Sequence, residues 1–284
     1  MNAFLDAYKA LNTEQKRAVD TIEGPVMVIA GPGTGKTQVL ALRIAHILNE
    51  TDTPADGILC LTFTNAGVKA MRERLLQLIG PTATKVTIST FHGYGTELIG
   101  EYFESLGFEN PPALLDDGAT VALFDDVLSG HEWQYLRPRS NASLYYYDLK
   151  ALISTLKRDS IAPDDFAAAV ARDIEHMTHN PENISSRGET KGQLKKEVEK
   201  KIESLQRSLE AAEFYARYES LKQERSQIDY NDILTLMVRL VTENEDAAAS
   251  IRERFLYVLI DEHQDSSRVQ NAFLEALWGG EERP

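Results

Sequence analysis

The sequence predicts an α/β fold built on a parallel sheet, with a long helical segment inserted into it. Short apolar runs at residues 26–30, 58–63 and 85–89 alternate with helical patterns, and strands that alternate with helices form parallel sheets. After about residue 98 the strand pattern stops and helical periodicity takes over. A fourth apolar run, at residues 257–260, returns the chain to the sheet.

This pattern divides the chain into two structural domains. The sheet domain is in two parts, residues 1–98 and 227–284, and the helical insert occupies residues 99–226. The chain has 284 residues, of which 43% are hydrophobic, so it is long enough to bury a core in each domain. We therefore expect a folded protein of two units.

The predicted helices follow from apolar spacing and capping residues. Four segments have the spacing of amphipathic helices: residues 13–21, 37–48, 66–79 and 230–241. Asn12 and Asp229 precede the first and the last of these helices and can cap them. In the insert, apolar residues recur every three or four positions between residues 194 and 221, which predicts one long helix.

The charge distribution restricts the partners that the chain can bind. The net charge is −14, from 30 Lys and Arg against 44 Asp and Glu. The first 100 residues contain nine residues of each sign, so the excess acid lies in the remainder. Contact with nucleic acid would therefore depend on a few placed residues and would weaken as salt increases.

Cysteine usage and hydropathy argue against a disulfide-bonded protein, a thiol metal cluster and a membrane-spanning protein. The single cysteine, Cys60, cannot form an internal disulfide or a thiol metal cluster, so a reducing, cytoplasmic location is expected. No apolar stretch approaches the roughly 18 residues that a membrane span requires. We expect no membrane partner.

A glycine-rich segment after the first apolar run has the features of a phosphate-binding loop. It consists of Ala30, Gly31, Pro32, Gly33, Thr34, Gly35, Lys36 and Thr37, followed by Gln38. Glycines allow successive backbone N–H groups to point at one anion, Lys36 adds a positive charge, and Thr37 offers a hydroxyl to Mg²⁺. An ordinary glycine loop is the alternative, but the order of strand, turn and amphipathic helix favours a nucleotide site. Ala30 stands where the strict pattern has its first glycine.

Two adjacent carboxylates follow the fourth apolar run. Asp261 is placed to hold Mg²⁺, and Glu262 to orient and deprotonate the water that attacks the γ-phosphate. A solvated Asp-Glu pair at a strand end is the alternative. The continuous apolar strand and the matching loop upstream favour nucleotide hydrolysis, by an ATPase or a GTPase.

An ordered set of further motifs resembles the UvrD/Rep family of superfamily 1 DNA helicases. The motifs are Leu11-Asn12-Thr13-Glu14-Gln15, Leu61-Thr62-Phe63-Thr64-Asn65, Ser89-Thr90-Phe91-His92-Gly93, Asp229-Tyr230-Asn231-Asp232-Ile233-Leu234 and Asp261-Glu262-His263-Gln264-Asp265. The resemblance spans nearly the whole chain. It implies a RecA-like P-loop NTPase domain with a parallel sheet and an inserted all-helical subdomain, and a monomeric DNA repair enzyme that uses ATP and Mg²⁺.

The resemblance also implies roles for single residues. Gln15 matches the glutamine that reads adenine, which favours ATP over GTP, and Gln264 matches the residue that senses the γ-phosphate. The residues that match the track for single-stranded DNA, or for a junction of single and double strands, are Phe63, Thr64, Asn65, Thr90, Phe91 and His92. An aromatic ring in such a track stacks on a base without choosing its identity. For Phe63 and Phe91, packing in the core is the alternative.

Members of this family close ATP between two RecA-like domains and move 3′ to 5′ along the strand. The resemblance therefore implies that a second RecA-like domain, in cis or in trans, is needed, and we expect this chain to bind ATP but to hydrolyse it slowly. His263, Ala66 and Gln38 depart from the pattern, and Gln38 removes a cation that could stack on adenine. Three other functions stay open: a small-molecule kinase, a DNA-binding module that keeps ATP as a structural ligand, and a helicase-nuclease.

Overall fold

The fold consists of two compact units. The structure, a computed structural model, describes residues 2–136, 145–186 and 192–279. One unit comprises Met1–Gly107 and Leu236–Pro284, and the other comprises Phe108–Thr235. The predicted boundaries, after residues 98 and 226, each lie nine residues before those of the two units. We call the two units the sheet unit and the helical unit.

Twelve helices and five strands make up the described part of the chain. In chain order they are α1 (Asn2–Lys9), α2 (Thr13–Asp20), α3 (Lys36–Glu50), β1 (Ile58–Thr62), α4 (Asn65–Ile79), β2 (Thr87–Thr90), α5 (Phe91–Glu101), β3 (Ala113–Leu114), α6 (Asp117–Ser129), α7 (Tyr146–Arg158), α8 (Pro163–His179), α9 (Lys196–Glu224), β4 (Gln227–Ile228), α10 (Tyr230–Glu243), α11 (Glu245–Arg254), β5 (Tyr257–Ile260) and α12 (Arg268–Trp278).

The sheet unit contains a parallel sheet of three strands in the order β2-β1-β5. β1 is the central strand and all five of its residues are buried, because helices cover both faces of a parallel sheet. Leu59 pairs with Thr87 on one side and with Val258 on the other, so the carboxyl ends of the three strands meet at one edge. The predicted α/β fold with a parallel sheet is confirmed.

Sequence signals explain where the main helices of the sheet unit begin and end. Asn12 and Gln15 form a reciprocal capping box at the start of α2, as the predicted cap requires. Thr64 caps α4 and Thr90 caps α5, each by accepting a hydrogen bond from the backbone of a glycine three residues later. The apolar face of α3, with Leu42 fully buried, packs into the core.

The predicted strand at residues 26–30 is wrong. These residues form no strand, and the apolar side chains of Val26, Met27, Val28 and Ile29 are exposed to 38%, 77%, 47% and 90%. A run of this composition becomes a buried strand only when another strand pairs with it. In the described part of the chain the segment pairs with no strand, although its sequence has strong β propensity.

The helical unit has a core of its own, formed by α6, α7 and α9. Phe214 is fully buried and makes an edge-on contact with Phe124, with ring centroids 4.9 Å apart. The insert was predicted to be entirely helical, but β3 and β4 form a parallel pair of two residues each. The predicted long helix is confirmed as α9, and Asp229 caps α10 by accepting hydrogen bonds from the backbone of Asn231 and Asp232.

Candidate functional site

The glycine-rich loop bends sharply where α3 begins. Gly33 and Gly35 have φ of 75° and 83°, in the left-handed region that L side chains disfavour. The Thr34 hydroxyl donates to the Gly31 carbonyl at 2.7 Å and closes the turn. No side chain caps α3, and its first hydrogen bond after the loop runs from the Val39 N–H to the Gly35 carbonyl. The preceding N–H groups of the first turn are thus positioned to bind an anion.

Lys36 lies over this loop. Its ammonium is 3.5 Å from the carbonyl oxygens of Ala30 and Gly31, and 3.9 Å from the carboxylate of Glu262. Glu262 is thus a counterion of Lys36. A bound phosphate would offer the ammonium a stronger partner and would release the Glu262 carboxylate.

Asp261 lies at the carboxyl end of β5, directly beside the loop. Its backbone N–H donates to the Leu61 carbonyl at 2.9 Å, which holds it against β1. Its carboxylate accepts a hydrogen bond of 3.2 Å from the Thr37 hydroxyl. Hydroxyl and carboxylate oxygens are ligands that Mg²⁺ prefers, so the two side chains fit the ion that the sequence predicts here.

The electrostatics of Asp261 favour the arrival of a cation. Burial raises the pKa of its carboxyl group, the hydrogen bond from Thr37 opposes that rise, and the neighbouring charge of Glu262 adds to it. A carboxylate that is costly to ionise gains more from a divalent cation beside it than an exposed carboxylate does.

Glu262 has a strained backbone and is held by Gln264. Its φ and ψ are 54° and 40°, a left-handed conformation that costs a residue with a side chain about 1 kcal/mol or more. Its carboxylate accepts a hydrogen bond from the side-chain amide of Gln264. The turn therefore aims Glu262 toward Lys36 and joins it to the residue predicted to sense the γ-phosphate.

α2 places Gln15 against the glycine-rich loop. Its side-chain oxygen accepts from the Asn12 N–H at 3.0 Å, and its side-chain nitrogen donates to the Thr34 carbonyl at 3.1 Å. Gln38 also lies at this end of the loop, since a β-carbon added at Gly35 would be 3.7 Å from the Gln15 side chain and 3.9 Å from that of Gln38. The predicted nucleotide-binding residues are thus gathered around one turn.

Arg43 is a residue of this region that sequence reasoning missed. Its guanidinium donates to three backbone carbonyls at the end of α2 and just after it, those of Ala18, Thr21 and Ile22. It therefore ties the helix that carries Gln15 to α3, which follows the phosphate loop. Arg43 lies within the apolar pattern of α3, and a partly buried cation needs hydrogen-bond acceptors around it. That position could have indicated a structural role.

The predicted track residues lie at the carboxyl ends of β1 and β2. Thr64 and Asn65 are exposed, Thr90 and His92 are half-buried, and burial lowers the pKa of the His92 imidazole. Phe91 does not fit base stacking, because its ring is only 1% exposed. The position of Phe91 therefore fits the alternative role, packing in the core. The ring of Phe63 is half-buried, and its centroid lies 6.0 Å from that of the Phe91 ring.

Comparison with known proteins identifies the family of the chain. The model of one protein family, described as the UvrD/REP helicase N-terminal domain, matches residues 11–283. The chain belongs to the UvrD/REP helicase N-terminal domain family. The resemblance noted in the sequence is confirmed, and with it a RecA-like sheet domain that carries a mostly helical insert.

Curated relatives of this UvrD/REP domain include proteins named ATP-dependent DNA helicase PcrA. The chain is 26% identical to the protein of Leuconostoc citreum over 271 residues, which are 94% of this chain and 31% of that protein. It is 26% identical to the protein of Staphylococcus aureus strain Mu50 and 27% to that of Staphylococcus epidermidis, over 98% of this chain and 32% of each. The chain spans about a third of the length of these relatives.

A second charged cluster lies in the helical unit of this UvrD/REP domain. The carboxylates of Glu219, Asp229 and Asp232 converge there closely enough to ligate a metal ion. Two buried lysines occupy that position instead: Lys157 and Lys222 each contact all three carboxylates. The acids are therefore neutralised by ammonium groups, and the cluster is a buried ion network rather than a metal centre.

Among the residues described, no helix is long and apolar enough to cross a lipid bilayer.

Proposed function

We propose that the sheet unit binds ATP together with Mg²⁺, as the N-terminal part of an ATP-dependent DNA helicase or translocase. The proposal rests above all on the 3.2 Å contact between Thr37 and Asp261, which brings two oxygen ligands from distant parts of the sequence to the phosphate loop. Membership of the UvrD/REP family and the names of the PcrA relatives support the helicase assignment.

In the proposed mechanism the backbone N–H groups around Gly33 and Gly35 hold the phosphates, and Lys36 neutralises their charge. Thr37 and Asp261 would hold Mg²⁺, which would supply positive charge to the phosphates. Lys36 exchanges its contact with Glu262 for one with the γ-phosphate. Glu262 is then free to accept a proton from the attacking water, and the amide of Gln264 keeps its carboxylate in place.

DNA binding is proposed at the carboxyl ends of β1 and β2. Because parallel strands end at one edge of the sheet, Thr64, Asn65, Thr90 and His92 lie at the same edge as Asp261. Single-stranded DNA, or a junction of single and double strands, would pass over this edge, and the resemblance implies movement from 3′ to 5′. A change at the phosphates could then reach the DNA through β1, which pairs with both neighbouring strands.

The chain itself is proposed to hydrolyse ATP slowly and to unwind no DNA. Phosphoryl transfer is accelerated strongly by an arginine that reaches the transition state. Of the arginines in the sheet unit, Arg43 is already bound to three carbonyls. Because the resemblance to UvrD/Rep helicases implies that ATP closes between two RecA-like domains, we propose that a second such domain, in cis or in trans, supplies such a cation.

Titration with a fluorescent ATP analogue tests both sites in one experiment. It is carried out with the 284-residue chain and with Lys36→Ala, in the presence and absence of Mg²⁺ and of oligo-dT. We expect binding that depends on Mg²⁺ and that Lys36→Ala weakens at least about tenfold, since a charged contact to phosphate is lost. Equal affinity of the two proteins would reject the nucleotide site. Hydrolysis is measured separately, as phosphate release from ATP with and without oligo-dT, and a robust ATPase stimulated by DNA would reject the need for a second domain.

A further inference from the structure

The segment that carries the proposed DNA track is basic, although the chain as a whole is acidic. Residues 57–96 include β1, α4, β2 and the first turn of α5. They contain four Lys and Arg residues and a single acid, Glu73, whereas the whole chain has a net charge of −14. Three of these four cations lie on α4. Positive charge is therefore concentrated on the helix that begins at the proposed track.

One face of α4 continues the track away from the strand ends. Asn65, a predicted track residue, is the first residue of α4. Lys69 follows Asn65 by four positions and Arg72 follows Lys69 by three, and residues at these spacings share one face of a helix. At 1.5 Å per residue, the distance from Asn65 to Arg72 along the helix axis is about 10 Å. We call these three residues the α4 stripe.

Lys69 is the cation of the α4 stripe that solvent reaches. Its side chain is 80% exposed, and it forms an ion pair of 4.0 Å with Glu73, which is also exposed. The lysine precedes the glutamate by four positions, which is the less favourable order for such a pair on a helix. A surface pair of this kind holds its partners weakly. The Lys69 ammonium is therefore able to exchange Glu73 for an anion that approaches from solvent.

Arg72 is bonded to the sheet instead. Arg72 is half-buried, and its guanidinium donates to the Ile88 carbonyl on β2 at 3.2 Å. Ile88 lies two residues before Thr90, another predicted track residue. Arg72 thus ties α4 to β2 and adds positive charge beside the end of that strand.

We propose that Lys69 contacts a phosphodiester of single-stranded DNA, and that the α4 stripe carries the strand beyond the ends of β1 and β2. The inference rests on the proposed function, because it extends the same DNA track. Salt screens the excess acid elsewhere in the chain over about 10 Å, so the cations nearest the strand decide its binding. A contact to the backbone of DNA carries no base preference and depends strongly on salt.

Binding of fluorescein-labelled oligo-dT at increasing salt tests this contact. Lys69→Ala is compared with Lys9→Ala, which removes the same charge from an exposed position at the end of α1 in the same unit. We expect Lys69→Ala to weaken binding at least about threefold at about 50 mM salt. We also expect it to reduce the slope of log affinity against log salt by about 0.7, the value for one contact with a single strand. Equal effects of the two variants would overturn the proposal.

Glu73 provides a change of the opposite sign. Glu73→Gln removes the carboxylate that competes with the phosphate for Lys69 and keeps the size of the side chain. We expect this variant to bind oligo-dT more tightly than the wild type, and we expect the gain to shrink when Lys69→Ala is combined with it. A gain of the same size in the double variant would overturn the proposal, because Glu73 would then act by repulsion alone.

A crosslink reports the position of the strand directly. Lys69→Cys introduces an exposed thiol, and the native Cys60 is buried and therefore inert. An oligo-dT with an activated disulfide tethered to one phosphate is expected to exchange with the thiol of Lys69→Cys and not with that of Lys9→Cys. If the oligo-dT bound but gave no crosslink with Lys69→Cys, the proposal would be wrong.

These measurements separate the α4 stripe from the track itself. If Asn65→Ala weakens oligo-dT binding and Lys69→Ala does not, the track is supported and its extension along α4 is wrong. If the wild type binds no oligo-dT, both are wrong. None of the measurements uses nucleotide, so their failure is also distinct from a failure of the proposed ATP site.

Discussion

The Thr37 hydroxyl donates a 3.2 Å hydrogen bond to the Asp261 carboxylate, although the two residues are 224 positions apart in the sequence. Thr37 is fixed by the first turn of α3 and Asp261 by the pairing of β5 with β1. Both positions are set by backbone structure, so the proposed Mg²⁺ would meet two oxygens that already lie together. Such preorganisation lowers the free energy that binding would otherwise spend on ordering side chains.

This pair leads to a prediction about Mg²⁺. Thr37→Val removes one ligand oxygen while keeping the shape of the side chain, and Thr37→Ser keeps the hydroxyl. We expect Thr37→Val to reduce the effect of Mg²⁺ on ATP affinity at least about tenfold and Thr37→Ser to retain most of it. Isothermal titration of each protein with ATP, with and without Mg²⁺, measures the difference. An unaltered Mg²⁺ effect in Thr37→Val would show that the ion binds elsewhere.

A substitution at Gln15 can separate its structural role, in the capping box of α2, from its predicted role in recognising the base. Gln15→Glu keeps the side-chain oxygen that completes the capping box of α2 but removes the amide that donates to the Thr34 carbonyl. We expect the melting temperature to stay nearly constant while the preference for ATP over GTP falls. Competition of both nucleotides against a fluorescent analogue reports that preference. If Gln15→Glu kept the full preference for ATP over GTP, Gln15 would not be the residue that reads the base.

Arg43 should act as a positioning residue for Gln15. Arg43→Met retains much of the apolar stem but leaves the carbonyls of Ala18, Thr21 and Ile22 without their common donor. We expect a loss of about 2 kcal/mol in the free energy of unfolding, measured with urea, and a smaller preference for ATP over GTP. Arg43→Lys serves as the comparison, since its ammonium lacks the planar fork and should rescue only part of both effects.

The role of Phe91 can be tested against that of Asn65. Because Phe91 is buried, Phe91→Ala should cost about 3–5 kcal/mol of stability through the cavity that it leaves. Asn65 is exposed, so Asn65→Ala should leave stability within about 0.5 kcal/mol and should weaken oligo-dT binding if the proposed track is correct. Full stability of Phe91→Ala with loss of DNA binding would instead place its ring in the track.

The buried ion network should dominate the stability of the helical unit. Lys157→Met leaves three carboxylates with one ammonium, and breaking a buried pair in this way costs about 3–5 kcal/mol. Arg207→Met is the control, since Arg207 forms an exposed pair with Glu203 on α9, and such pairs contribute about 0.3–0.5 kcal/mol. Chemical unfolding of both variants gives the comparison. Equal stability would mean that the network relaxes around the missing charge.

The same network predicts how stability depends on pH. Burial lowers the pKa of Lys157, but the charges of Asp232, Glu219 and Asp229 outweigh it and raise the pKa. Burial raises the pKa of Asp229, but Lys157 and Lys222 outweigh it and lower the pKa. The Lys157 contribution is therefore complete below its unfolded pKa of about 10.4 and is lost as pH rises through the folded value. The Asp229 contribution is complete above about pH 3.9 and is lost as pH falls.

Thermal unfolding across the pH range checks both signs. We expect a plateau at intermediate pH with a decline on each side, and we expect Lys157→Met to flatten the alkaline decline in particular. If Lys157→Met showed the same alkaline decline as the wild type, the decline would have to come from groups other than Lys157.

Much of the sheet unit could be predicted because its signals are local. The capping box of Asn12 and Gln15 lies within four residues, and the apolar run of β5 was predicted with its observed bounds. β2 was predicted at residues 85–89, so its start was two residues early and its end one residue early; the strand ends at Thr90, which caps α5. β3 and β4 were missed because two residues carry no periodicity, and each exists only through its pairing with the other.

The sequence by itself determined the glycine-rich loop, the acidic pair, the helices and strands that have strong local signals, and the family. These depend on residue type and on spacing over a few positions. Only the tertiary structure decided that residues 26–29 lie exposed beside a cleft, that Phe91 belongs to the core, and that Lys157 meets Asp229. Burial and ion pairing depend on which distant segment becomes the neighbour, and that choice is made by packing rather than by local pattern.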